Sequence, residues 1–203
     1  VGTHLINHSW GLDSMEALNA GRDIFVAVWR SWPGTILLYG ALLTHFILIL
    51  WSLYNRRSFR VRSWEAVQIL LGLAIPFLLA EHVLGTRGLN ATTGVIDDYI
   101  YEILVLWVYL PEKGVLQTVL LVTAWLHGCA GIHFWLRLKP WYRGVSPYLF
   151  AFAIVLPVTS VFGFVAAGRE IKVLAQDAIW LENMTLHINW PDQAAVVWVG
   201  YWK

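Results

Sequence analysis

The chain has 203 residues, of which 58% are hydrophobic and only 13% charged, with a formal net charge of +1 and a mean hydropathy of +0.60. Soluble domains carry roughly 25% charged residues, so a water-soluble globular domain is excluded and a membrane protein is expected. The near-neutral balance offers no basic surface to a nucleic-acid partner. A single cysteine, Cys129, excludes within this chain a disulfide framework, a CxxC redox pair, a CxxCH haem-attachment site and a cysteine-ligated iron–sulfur cluster.

In chain order, "VGTHLINHSWGL", residues 1–12, reads as the outward end of a first span, and 13–33 as an outer connection. A helix needs about 20 apolar residues to cross a hydrocarbon core, and four runs are that long: 34–54, 64–85, 115–138 and 146–167. Pro76 and Pro157 fall inside such runs and are expected to kink them without ending them. Residues 99–110, "YIYEILVLWVYL", are too short to cross and are predicted to lie as a helix along the outer surface. Residues 168–190 read as an outer amphipathic segment, and 192–203 as the start of a last, inward crossing.

Orientation follows from two loops. "NRRSFRVRS" holds Arg56, Arg57, Arg60 and Arg62, "RLKPWYRG" holds Arg137, Lys139 and Arg143, and neither contains an acid. The positive-inside rule puts both in the cytoplasm. The expected fold is therefore a single all-α domain over 1–203: a six-span helical bundle, its first and last spans cut by the chain ends, with both termini cytoplasmic and short outer amphipathic helices. Val1 opens in mid-run and Lys203 closes just after "AAVVWVGYW", so the chain is expected to be part of a longer polypeptide.

Ionisable residues are costly inside a span and point to function. His4, His8, His45, His82, His127 and His133 lie in or at the edge of four different spans. At about 1.5 Å of rise per residue, His8 and His82 lie a few residues below the outer surface, and His45 and His127 about ten to twelve residues down. Spans one and three would share one level, spans two and four another, something like 10 to 15 Å apart. That is the arrangement of two stacked b-type haems in a four-helix core, one held by His45 and His127, the other by His82 with His4 or His8.

Gly128 and Gly131 beside His127 would let a flat macrocycle approach the helix. His133 points elsewhere around the helix, towards a propionate or a carbonyl. Arg87, Arg22 and Arg30 at the outer rim and Arg137 at the inner rim are candidate propionate partners. Glu81 beside His82 is a candidate proton acceptor from a quinol, Glu65 suits its helix dipole, and His187 is expected in water. No Walker loop, HExxH or GxSxG is present.

"THLINH", "AEHVLGTRG", "WLHGCAGIHFWLRLKPWY" and "GFVAAGRE" resemble the membrane anchor of a bacterial class III adenylate cyclase family. In that family a six-span module similar to the cytochrome b subunit of succinate dehydrogenase and fumarate reductase precedes a ferredoxin-like 2Fe-2S domain and a cyclase domain. The resemblance covers nearly the whole chain. It implies His45, His82 and His127 as haem ligands and, through "HLIN", favours His4 where depth favours His8. It also implies two haem b, a bilayer of the bacterial inner (cytoplasmic) membrane, a homodimer, and control of cyclic AMP synthesis by a quinol or another reductant. The 2Fe-2S cluster and the divalent metal of a cyclase belong only to the implied downstream domains, because their ligands are missing here, and this stretch has no cyclase site of its own. The alternatives are a quinone-reactive cytochrome b subunit of a succinate or fumarate oxidoreductase, and a haem-free anchor or metal transporter.

Overall fold

The computed structural model describes residues 1–58 and 60–191; the expected last crossing, 192–203, lies outside the described residues. Among the described residues every regular element is helical. In chain order they are α1 (Gly2–Ser9), a 3₁₀ turn (Trp10–Leu12), α2 (Met15–Trp29), α3 (Trp32–Tyr54), α4 (Ser63–Val83), a π turn (Leu84–Gly88) and α5 (Leu89–Thr93). There follow α6 (Tyr99–Ile103), a second π segment (Leu104–Tyr109), α7 (Pro111–Leu136), α8 (Tyr142–Leu174) and α9 (Ala178–His187).

Local chemistry sets the helix starts. Ser14 and Ser31 cap α2 and α3 by accepting from the backbone N–H of Ala17 and Gly34, and Pro33 follows the second cap. Asp98 caps α6 through Tyr101 N–H, and Asp177 caps α9 through Ile179 and Trp180 N–H. Each cap satisfies a donor left over by the first turn of its helix. Gly94, with φ of +74°, ends α5 in the left-handed region that glycine enters at no steric cost.

Trp32–Tyr54, Ser63–Thr93, Pro111–Leu136 and Tyr142–Leu174 are long and apolar enough to cross a membrane. Among the described residues the protein is all-helical, with the helices of a membrane protein. Pro76 and Pro157 sit inside α4 and α8, as expected, and so does Pro147. The short helix expected over 99–110 is present as α6 and the π segment after it. Two boundaries differ from expectation. The third span does not stop near Gly85 but runs on through the π turn into α5, with Thr86 Oγ1 donating to the His82 carbonyl (2.8 Å) and Tyr101 Oη to that of Gly85 (3.3 Å). The segment after 167 is at first a continuation of α8 to Leu174, because Gly168 lies under the Trp107 ring, where a Cβ would come within 2.1 Å of it.

The core does not lie between the long helices. No residue of α3 or α4 is buried, as befits helices whose apolar side chains face lipid. The buried cluster sits at one end, where Leu18 of α2, Leu89 of α5, Tyr101 and Ile103 of α6, Leu104 and Val105 of the π segment, Ile171 of α8 and Ile188 after α9 pack together. We call this the capped end. The opposite, basic end joins α3 to α4 and α7 to α8. There Trp64 and Phe134 stack at 4.1 Å, and Arg137 lies over both rings, 5.6 and 5.1 Å from their centres.

Asp97 stitches the cap. Its side chain is 2% exposed. Arg22 donates to its carbonyl (2.9 Å) and to Oδ1 (2.8 Å), and Arg30 donates to Oδ1 (3.0 Å) and to Oδ2. Asn19 Oδ1 accepts from Tyr99 N–H at 2.9 Å, so α2 is bound to the start of α6 by four side chains. Removing one partner of a buried ion pair strands the other charges and costs about 3–5 kcal/mol. Asp97→Ala is therefore expected to lower the thermal unfolding midpoint of the detergent-solubilised protein by several degrees, and Asp23→Ala, whose carboxylate is mostly exposed, to leave it unchanged.

Candidate cofactor site

An imidazole can hold a metal only if one ring nitrogen keeps its lone pair, which requires the proton to be held on the other. On α7, His127 meets this condition. Its Nδ1 lies 3.2 Å from the carbonyl oxygen of Gln68 on α4, a group that only accepts, so Nδ1 carries the proton and Nε2 is left with its lone pair. The Gln68 side chain completes the clasp, its Nε2 donating to the His127 carbonyl at 2.9 Å. Gly72, one turn further along α4, makes the room: a Cβ there would lie 2.7 Å from His127 Cε1. Facing this ring is His45 of α3, with centroids 6.2 Å apart and planes at 74°.

A second pair stands nearer the capped end. His4 of α1 and His82 near the end of α4 have ring centroids 5.8 Å apart at 67°. Gln117 of α7 lies beside His82, so each of these two histidines of α4 and α7 has a glutamine of the other helix as neighbour. His8 joins His4 at 4.4 Å, stacks on Phe164 at 5.8 Å and meets the Tyr99 ring edge-on at 5.5 Å. The short α1 is held in place by backbone contact with α8, for a Cβ at Gly163 would lie 2.0 Å from the His8 carbonyl oxygen. Its buried Asn7 donates to Tyr99 Oη at 3.1 Å.

Two nitrogens bound on opposite sides of one metal ion, each at about 2.0–2.1 Å, place their ring centres about 6 Å apart. Both pairs stand at that spacing. The ring beside His127 is that of His45, and the ring beside His82 is that of His4, where depth had favoured His8. Gln117 and His127 are ten positions apart on α7, about 15 Å of helix between the two levels. Among the described residues, no group of three or more His, Cys, Asp or Glu could hold a metal ion, so each pair offers two ligands.

The other expected residues are placed as follows. A Cβ added at Gly128 would touch nothing within 4 Å, which leaves open space beside His127, whereas at Gly131 it would meet Gln68 Nε2 at 3.4 Å. His133 Nδ1 is bonded to the hydroxyl of Tyr142 at 2.7 Å, away from both pairs. Arg87 donates to Thr35 Oγ1 (3.2 and 3.3 Å) and lies over the Tyr39 ring, free of any carboxylate among the described residues. Arg22 and Arg30 do not fit the rim role expected of them, because Asp97 occupies both guanidinium groups. Glu81 is paired with Lys113 and Glu65 with Arg56 at 2.5 Å, and His187 is 57% exposed, 3.9 Å from Asp98.

Sequence reasoning missed Gly72, Gly163 and the two glutamines. It also missed Glu102, which shares a face of α6 with Tyr99 at i and i+3. Glu102 Oε1 is shielded from solvent and has no hydrogen-bond partner among the described residues. Burial pushes its carboxyl well above the usual carboxylate range, reinforced by Asp97 and opposed by Arg22. Burial likewise raises Asp98 and the Tyr99 phenol. Set beside protein-family patterns, curated proteins and solved structures, the chain has no match.

Because Glu102 keeps its proton in the folded state to a higher pH than in the unfolded chain, where it ionises near about pH 4.3, its contribution to stability is lost as pH rises through the raised folded value. Thermal unfolding measured between about pH 5 and about pH 8 should therefore show a falling midpoint, and a shallower fall in Glu102→Gln.

Proposed function

We propose that this chain is a dihaem b membrane module that accepts electrons from a quinol or another reductant at the capped, outer side and passes them to the basic, cytoplasmic side. The observation that carries the reading is the pair of histidine pairs, each at the spacing of two axial ligands and each drawn from two helices. His45 with His127 would hold the inner group, and His82 with His4 the outer one. A haem supplies reversible one-electron chemistry between such ligands. The chain's own residues supply the rest. Gln68 holds the His127 proton on Nδ1, Gly72 lets the ring reach its position, and Gln117 lies beside His82. The crossing of α1 over Gly163 delivers His4, and Arg87 and Arg137 offer cations near the two levels.

The resemblance to cyclase anchors extends the reading. It makes the output the control of cyclic AMP synthesis by a 2Fe-2S domain and a cyclase domain further along the polypeptide, in a homodimer at the bacterial inner membrane with six spans and both termini in the cytoplasm. The positive-inside rule supports this orientation, since Arg56, Arg57, Arg60, Arg62, Arg137 and Lys139 gather at one end.

The two levels can be separated by substitution. His127→Ala and Gly72→Val should each lower the haem content by one per chain and leave the His82 centre intact. His82→Ala and Gly163→Val should remove the other. Haem per chain from pyridine haemochrome spectra, with low-temperature difference spectra to tell the centres apart, decides the matter. Retention of both haems in His127→Ala, or loss of both in every variant of a well-folded preparation, would contradict the assignment.

A further inference from the structure

Glu102 is a half-buried acid, its Oε1 shielded from solvent, that the ligand assignment does not use. It lies in the cap, one turn along α6 from Tyr99. The Tyr99 hydroxyl accepts from Asn7 of α1, and the Tyr99 ring touches His8, which in turn touches His4. Ring contacts thus run from Tyr99, on the same face of α6 as Glu102, to the His4–His82 pair. Nearby lies the Asp97 cluster, with the Arg22 side chain 17% exposed. The charges that act most on Glu102 are those of Asp97 and Asp98 from the loop before α6, and of Arg22 and Arg30 from α2 and its C-terminal end. α8 turns Phe164, Ala167 and Ile171 to this core, all apolar. The two arginines are already engaged by Asp97, so the Glu102 carboxylate would have no cation of its own.

We propose that Glu102 is the redox-linked proton site of the outer centre: it binds one proton when that centre takes up one electron, and releases it on oxidation. The inference rests on the dihaem reading above. The balance is simple. An external reductant gives one electron to the His4–His82 centre, the outer aqueous phase gives one proton to a Glu102 carboxylate oxygen, and no other bond is made or broken. The added negative charge inside the bundle favours the protonated acid, since the interaction acts through a medium of low dielectric. By reciprocity, a protonated Glu102 makes the outer centre easier to reduce. Burial already raises this carboxyl above the usual carboxylate range, so the outer centre would report both the reductant and the external pH.

The experiment is a spectroelectrochemical titration of the purified full chain, wild type and Glu102→Gln, between about pH 5 and about pH 9. Dithionite serves as reductant, and His127→Ala identifies the outer centre. In the wild type each tenfold fall in proton activity should lower the outer midpoint, by at most about 59 mV, while the inner midpoint moves less. In Glu102→Gln the outer dependence should flatten with haem content unchanged. The reduced-minus-oxidised infrared difference spectrum supplies a second readout: a carboxylic-acid C=O band that appears on reduction of the wild type and is missing in Glu102→Gln. An outer midpoint with the same pH dependence in both proteins, each carrying two haems, would overturn the role of Glu102 and leave the dihaem reading standing. A wild type without haem would overturn both.

Discussion

An imidazole inside an apolar bundle has two nitrogens to satisfy and no bulk water to satisfy them, and the arrangement of the spans follows from how that need is met. His127 places Nδ1 on a carbonyl of the neighbouring helix and leaves Nε2 for the partner across the bundle. A backbone carbonyl is accessible to a ring only if the intervening side chain is missing, and Gly72 removes it. The same logic operates at the other level in a different form. There a whole helix end, not a ring, is brought against a glycine, as α1 crosses α8 at Gly163 and delivers His4 to His82. Both sites therefore depend on the absence of one Cβ at a contact between helices distant in sequence.

The cap gives these contacts something rigid to hang from. The long helices bury little against one another, and lipid must cover most of their surface. Order comes from one end, where the buried side chains of α2, α5, α6, α8 and the segment after α9 meet and the Asp97 ion pairs tie α2 to α6. Since α1 is anchored in that cap through Asn7 and Tyr99, the position of the outer histidine pair is set by the extramembrane layer. The inner pair is set within the bundle by α4 and α7. The two levels thus have separate structural supports.

Much of this frame was legible in the sequence because it rests on length and hydropathy. The run 34–54 is α3 almost to the residue, and "YIYEILVLWVYL" is helical, as α6 and the π segment after it. Depth also put His45 level with His127, whose rings lie 6.2 Å apart. What stayed hidden depends on partners far along the chain. Gln68 and His127 are in contact only because α4 and α7 pack, and nothing local marks Gln68 as different from any polar residue near a helix start. Arg22 and Arg30 looked like free rim cations because the burial of Asp97 cannot be seen in residue identities. Depth favoured His8, but a helix as short as α1 gives a poor origin for counting, and the ring found beside His82 is that of His4. Glu102 reads in sequence as the polar side of an amphipathic helix; its isolation exists only once α2 and α8 have closed over it.

The most direct test of the central claim is the dithionite-reduced minus oxidised absorbance spectrum of the purified wild-type chain, with haem counted against protein. The account predicts a b-type spectrum with about two haems per chain, one for each histidine pair. A featureless spectrum from a folded preparation supplied with haem during expression would contradict it, and would return the two pairs to helix packing.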